Sequence, residues 1–99
     1  MKKLRKELAA LGLPPEEPPT PGAVLLTYLQ QRGLTQLGAA RAMEISMQRM
    51  NELVLGKRGM TADTAIRLAR LLDTSPVFWR ELQVARDLWR AVEARHRAA

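Results

Sequence analysis

The chain has 99 residues and a formal net charge of +6, a length that suits one folded domain. It contains no cysteine, which excludes disulfide bonds, thiolate metal ligands and a cysteine nucleophile. No stretch approaches the roughly 18 consecutive apolar residues that a membrane span needs, and the basic N-terminus does not resemble a leader peptide. We therefore expect a cytoplasmic protein. The positive charge favours a polyanionic partner such as nucleic acid, although a solvated basic surface has the same composition.

The predicted elements begin with a short N-terminal helix. Its apolar face has the spacing i, i+4 and i+7: Leu4, Leu8 and Leu11. The next segment, PPEEPPTPG, holds too much proline for a helix and predicts a stiff, extended connector. This change divides the chain into an N-terminal extension, residues 1–20, and a domain, residues 21–99. A helix this short is marginal alone, so it is expected to be either frayed or docked on the domain.

Five further helices are predicted, because alanine, leucine and arginine dominate and no stretch alternates apolar and polar residues as a strand does. Threonine, serine and proline mark their starts, and glycine marks several of their ends. They are expected at residues 21–32, 35–43, 46–55, 61–72 and from 75 to beyond 92. The fold class is therefore all-α. Trp79 and Trp89 in the last helix are interpreted as core or dimer contacts rather than a ligand cage.

The second and third of these five helices are short, and a tight turn separates them, which is typical of a helix-turn-helix. If Met50 and Leu53 face the core, the opposite face of the third helix carries polar side chains. Gln and Asn can pair bidentately with adenine in the major groove, and Arg can pair with guanine. The candidate base-reading residues are Met47, Gln48, Arg49, Asn51 and Glu52.

A basic loop follows this helix directly. Lys57 and Arg58 lie side by side between Gly56 and Gly59, and glycines allow the main chain to approach a ligand closely. The sequence predicts that the two cations contact backbone phosphates of DNA. The other interpretation is a solvated surface loop.

Two stretches carry a family resemblance: GKRGMTADTAIRLAR, residues 56–70, and TSPVFW, residues 74–79. Together with GLTQ and the helix before the basic loop, they resemble the HigA-type antitoxins, a branch of the phage-repressor-like (XRE) helix-turn-helix family. The resemblance implies a five-helix repressor-like bundle that follows the N-terminal extension. It also implies a homodimer that binds a palindromic operator in double-stranded DNA. The partner that the family implies is a small RelE-like toxin, an mRNA-cleaving ribonuclease that the antitoxin neutralises.

The resemblance also implies roles for individual residues. Residues 46–52 are expected to lie in the major groove. The residues expected to contact phosphate are Thr35, Gln36, Ser46, Lys57 and Arg58. Glu44 stands where the family often has glycine, so a left-handed backbone there would cost about 1 kcal/mol. Leu26, Tyr28 and Leu37 replace polar residues of the family's surface and could form an apolar patch for a protein partner.

Two alternatives to an antitoxin remain open: a stand-alone XRE-family repressor without a toxin, and a protein-interaction module whose DNA face has decayed. An enzyme is not expected, since the sequence contains no metal-ligand cluster, no nucleophile–base pair and a single histidine, His96. No cofactor is expected either. His96 falls in a tail expected to fray and is given no role. For the toxin, Glu16 and Glu17 together with the apolar face of the N-terminal helix are a candidate wrapping segment.

Overall fold

The computed structural model describes residues 2–98, which form six helices joined by short turns and one proline-rich connector. The helices are α1 (Lys2–Ala10), α2 (Pro21–Gln31), α3 (Gln36–Met43), α4 (Met47–Val54), α5 (Ala62–Leu72) and α6 (Pro76–Ala98). The predicted all-α fold class is confirmed: α2 to α6 are the five helices of the bundle, and α1 belongs to the extension. Within the described residues, no helix combines the length and the apolar character needed to cross a membrane.

Hydroxyl side chains fix where four of the helices begin. Thr20, Thr35, Ser46 and Thr61 have extended backbones, and each side-chain oxygen accepts a hydrogen bond from the backbone N–H three positions later. Such a cap satisfies one of the donors that the first turn of a helix leaves without a partner. The starts predicted from Thr35, Ser46 and Thr61 are therefore confirmed to the residue.

The main core lies where α2, α3, α4, α5 and α6 meet. Its largest fully buried side chains include Leu25, Leu29, Met50, Leu68 and Trp79. The Trp79 ring lies 5.2 Å from Tyr28 and 5.0 Å from Phe78, both in edge-to-face geometry. Its indole Nε1 donates a 2.8 Å hydrogen bond to Thr74 Oγ1, so the buried polar atom has a partner. Tyr28 packs in this aromatic group and is partly buried, as is Leu26, so Leu37 is the one exposed member of the apolar patch that the sequence suggested.

The backbones of α2 and α4 touch at Gly22. A Cβ atom placed on Gly22 would lie 1.6 Å from the carbonyl oxygen of Leu53, a distance that no real contact allows. Glycine is therefore required here by space rather than by backbone conformation. This contact sets the position of α4 relative to the rest of the bundle.

A second apolar cluster joins α1 to the C-terminal half of α6. Leu4 and Leu8 of α1 are buried against Trp89 and Val92 of α6. The helix is therefore docked, not frayed. It can dock because α6 has 23 residues and continues well beyond the main core.

Leu11 does not belong to the apolar face predicted for α1. The helix ends at Ala10, the chain turns at Gly12 with φ 73°, and Leu11 is 58% exposed. Leu13 packs against the second cluster in its place.

The prediction that His96 lies in a frayed tail is wrong. Helix α6 continues to Ala98, and α1 brings Glu7 alongside it. His96 Nε2 lies 2.7 Å from Glu7 Oε2, and Arg95 Nη1 lies 3.3 Å from the other carboxylate oxygen. His96 therefore helps to hold α1 on α6.

Candidate nucleic-acid interface

The turn between α3 and α4 is short and closely hydrogen-bonded. Glu44 ends α3 in the left-handed conformation, with φ 58° and ψ 42°, where the sequence predicted a position that suits glycine. The N–H of Ile45 then donates to the carbonyl of Ala40 at 3.0 Å, and the Ile45 side chain packs against the main core. Ser46 begins α4 immediately afterwards. The turn thereby fixes α4 with its inner face on the core and its outer face towards solvent.

The outer face of α4 carries three of the five predicted base-reading residues. Gln48 and Asn51 are exposed, and Met47 is 41% exposed at the start of the helix. On the opposite face Met50 and Leu53 are buried. The amides of Gln48 and Asn51 can both donate and accept hydrogen bonds, as an adenine edge requires, while an exposed methionine suits the methyl group of thymine.

Arg49, the fourth predicted base reader, points away from this face. Its Nη2 lies 3.2 Å from Asp63 Oδ2 and also donates to Thr64 Oγ1 on α5, and its side chain is 27% exposed. Asp63 also accepts a 2.9 Å hydrogen bond from Arg67 Nε. These bonds, from Arg67 first and then from Arg49, lower the pKa of Asp63 below its ordinary value of 3.8, so the carboxylate stays ionised to a lower pH than a free aspartate would.

The same network reaches α3. Arg67 Nη1 donates a 2.6 Å hydrogen bond to the carbonyl of Met43, in the last turn of α3. Arg49 and Arg67 thus connect α3, α4 and α5 through one carboxylate. The i, i+4 spacing of Asp63 and Arg67 was visible in the sequence, whereas no local pattern relates Arg49 to Asp63.

Glu52, the fifth predicted base reader, is partly buried beside the basic loop. Its carboxylate lies 3.5 Å from Arg58 Nη2. Its backbone carbonyl accepts from the N–H groups of Lys57 and Arg58, at 2.9 and 3.3 Å. Glu52 therefore holds the loop against the end of α4.

The predicted phosphate contacts lie at helix starts and in this loop. Ser46 and Thr35 are exposed, and each hydroxyl oxygen accepts from a backbone N–H, which leaves its own proton available to donate. Lys57 and Arg58 are exposed, and Gly56 before them has φ 74°. Gln36 is half-buried, and within residues 2–98 its Oε1 atom is buried without a hydrogen-bond partner. Amides, hydroxyls and cations at these positions are the groups that commonly contact backbone phosphates.

Within residues 2–98, no three histidine or acidic side chains group closely enough to hold a metal ion. The groups that α4 and its surroundings offer are hydrogen-bond donors, hydrogen-bond acceptors and cations.

Comparison with known proteins places the fold in a single family. The family model described as helix-turn-helix matches residues 25–79, more than half of the chain. The chain belongs to this helix-turn-helix family, in its XRE branch, and its structural neighbours are HigA-type antitoxins.

Three similar proteins illustrate the range of that family. A structure of the Pseudomonas aeruginosa antitoxin HigA with the higBA promoter is 36% identical in sequence and has a TM-score of 0.77. The match covers 82% of this chain and 89% of the HigA chain. A HigA-family addiction module antidote protein from Coxiella burnetii is 32% identical and has a TM-score of 0.77. The match covers 84% of this chain and 91% of the Coxiella chain. Virulence-associated protein I of Dichelobacter nodosus is 42% identical over 69 residues, or 69% of this chain, and the match covers 64% of its length.

Proposed function

We propose that this protein is a HigA-type antitoxin: a sequence-specific DNA-binding repressor of its own operon that also neutralises a RelE-like toxin. The observation that carries the DNA-binding part is the exposed pair of amides, Gln48 and Asn51, on the outer face of α4 next to the cations of the loop. Base-reading amides beside a phosphate-binding loop are what a recognition helix requires. The similar Pseudomonas aeruginosa antitoxin, whose structure includes the higBA promoter, supports the same assignment.

In the proposed mechanism, two protomers place their α4 helices in successive major grooves on one face of the duplex, about one helical turn or roughly 34 Å apart. A two-fold symmetric dimer then requires a palindromic operator. Gln48 and Asn51 read base edges, with Met47 against a thymine methyl group. The groups that hold phosphates are Thr35, Gln36, Ser46, Lys57 and Arg58.

Two of the predicted base readers take a different part in this mechanism. Arg49 spans from α4 to Asp63 on α5, so we assign it to orienting the recognition helix rather than to reading guanine. Glu52 pairs with Arg58, so we assign it to positioning the loop. In this mechanism both side chains lie near the DNA, but neither makes a contact that depends on the base sequence.

Substitutions on α4 and in the loop are expected to have different effects on DNA binding. Asn51→Ala or Gln48→Ala should weaken binding to the operator by about 1–3 kcal/mol and leave random duplex almost unchanged, because a base contact is lost. Lys57→Ala should weaken both duplexes alike and reduce the slope of log affinity against log salt by about 1. Fluorescence anisotropy on both duplexes across a salt series measures these effects.

The matched control for this experiment is Gln30→Ala, which truncates an exposed amide in the last turn of α2, outside the residues predicted to contact DNA. It should change neither affinity. Equal losses on operator and random DNA for Gln48→Ala would contradict its role as a base reader. Undetectable binding to every duplex at low salt would favour a protein-interaction module.

The toxin is proposed to bind outside the apolar face of α1. The sequence suggested that Leu4, Leu8 and Leu11 wrap the toxin together with Glu16 and Glu17. However, Leu4 and Leu8 are buried against α6, so that face is occupied while α1 is docked. Glu16 and Glu17 remain exposed.

Purification of the tagged protein from its native host is expected to recover a small, stoichiometric second protein. Expressed alone, that protein should halt growth, and co-expression of the full chain should restore growth. Mass spectrometry and a growth assay measure both effects, with Asn51→Ala as the control, since it should weaken operator binding and keep neutralisation. A protein that is recovered alone, but still binds its operator, would instead be a stand-alone repressor.

A further inference from the structure

The proline-rich connector lies along α6 and is held there by hydrogen bonds from side chains of that helix. Trp89 Nε1 donates to the carbonyl of Pro14 at 3.0 Å, and Arg86 Nη1 donates to the carbonyl of Pro18 at 2.6 Å. Because proline cannot donate a backbone hydrogen bond, these carbonyl contacts with side chains are a natural way to hold the segment. They place the residues between Pro14 and Pro18 next to two arginines of α6, Arg86 and Arg90.

Glu17 lies between those two arginines. Its Oε1 atom is 3.2 Å from Arg86 Nη2 and 3.6 Å from Arg90 Nε. The Arg86 side chain is 18% exposed, whereas that of Arg90 is 57% exposed and Glu17 is 41% exposed. One carboxylate oxygen is thus shared by a partly buried guanidinium group, that of Arg86, and an exposed one, that of Arg90.

This pair of arginines lies beside the basic loop. Arg58, Arg86 and Arg90 all line one cleft of about 100 Å³, together with Thr20, Gln83 and Asp87. Asp87 accepts a 2.9 Å hydrogen bond from Gln83 Nε2. Glu52 also lies 3.5 Å from Arg58, so with Asp87 and Glu17 three carboxylates balance the three arginines, and without Glu17 the arginines exceed the carboxylates by one charge.

We propose that Arg86, Arg90 and Arg58 form a further binding site for a backbone phosphate of DNA, and that Glu17 occupies this site in the free protein as an internal competitor. The inference rests on the proposed function, because it extends the phosphate contacts of the loop onto α6. Guanidinium groups bind carboxylate and phosphate oxygens with the same geometry, so one anion can replace the other. The pair of Glu17 with Arg90 is exposed and contributes little net stability, and Arg86 keeps its hydrogen bond to the carbonyl of Pro18 when the Glu17 side chain leaves, so the fold is maintained.

The test compares Glu17→Gln with Glu16→Gln. Both substitutions remove one negative charge from adjacent positions of the connector. Glu16, however, contacts Arg5, at 3.6 Å, and not the arginines of the cleft. Glu17→Gln should bind operator and random duplex about 3- to 10-fold more tightly than wild type, with a steeper salt slope, because salt no longer weakens a competing ion pair in the free protein. Glu16→Gln should stay within about 2-fold of wild type, since it changes only the long-range charge.

A second variant shows whether the gain belongs to this cleft. Arg90→Gln in the Glu17→Gln background should return both affinity and salt slope to wild-type values, and the exposure of Arg90 makes the variant safe for folding. A gain that persists without Arg90, or equal gains for both glutamate variants, would overturn the proposal. Neither result would affect the proposed function if wild type binds its operator.

Inorganic phosphate distinguishes a DNA site from a general anion site. Titration of Glu17→Gln with phosphate, followed by the NMR shift of the arginine Nε–H groups, should show weak, millimolar binding that duplex DNA displaces. Phosphate binding without any change in DNA affinity would overturn the assignment to the DNA backbone. If wild type and Glu17→Gln both fail to bind any duplex, this site and the proposed function are rejected together.

Discussion

Gly22→Ala is expected to lower the free energy of unfolding by about 3 kcal/mol, although alanine is the better helix former by about 1 kcal/mol. The added Cβ would lie 1.6 Å from the carbonyl oxygen of Leu53 and 3.0 Å from the Cα of Val54. Both atoms belong to the backbone, so no rotation of a side chain relieves the clash. Helix α2 must then separate from α4, which opens the core and displaces the recognition helix.

Thermal unfolding followed by circular dichroism measures this effect, which corresponds to a fall in Tm of roughly 12–24 °C for a domain of this size. Gly38→Ala is the matched control, since it makes the same change within α3. A Cβ there would meet only the Thr35 hydroxyl oxygen, at 3.1 Å, and a side chain can adjust. The control should stay within about 1 kcal/mol of wild type. A Gly22→Ala protein as stable as wild type would show that the two helices can separate at little cost.

The sequence predicted the bundle well because its signals are local. Thr35, Ser46 and Thr61 each determine a helix start through a hydrogen bond that spans three residues. The apolar spacing of Met50 and Leu53 likewise determines which face of α4 is buried and therefore which residues face outwards. Such features need no knowledge of the rest of the chain.

The sequence could not predict contacts between residues far apart along the chain. Gly22 looked like an ordinary early position of α2, because its close contact with Leu53 exists only after α2 and α4 pack. Arg49 was assigned to base reading from its place on α4, yet a long side chain can reach sideways to Asp63 on α5. His96 was separated from Glu7 by almost the whole chain. Helical periodicity places the Cβ atom on a face but not the end of a flexible side chain.

Trp79→Ala is expected to destabilise the whole bundle by about 3–5 kcal/mol, the usual cost of removing a buried tryptophan. Trp79 is completely buried, its ring packs on Tyr28 and Phe78, and its Nε1 atom donates a hydrogen bond to Thr74 Oγ1. The cavity would lie at the centre of the main core, where every helix of the bundle depends on the packing. Urea unfolding should therefore show the loss, and operator binding should fall with the folded fraction.

Trp89→Ala removes the same side chain from the second cluster and should give a different result. Trp89 is 6% exposed and holds α1 and the connector through Leu4, Leu8 and the carbonyl of Pro14. Because α1 can undock while the main core stays packed, the loss is limited to the free energy with which that segment docks. Hydrogen exchange should show faster exchange in α1 and unchanged protection in α2 to α5. When the connector undocks, Glu17 moves away from Arg86 and Arg90. DNA affinity should therefore be maintained or increased. Loss of protection throughout the bundle would show instead that the extension and the domain form one cooperative unit.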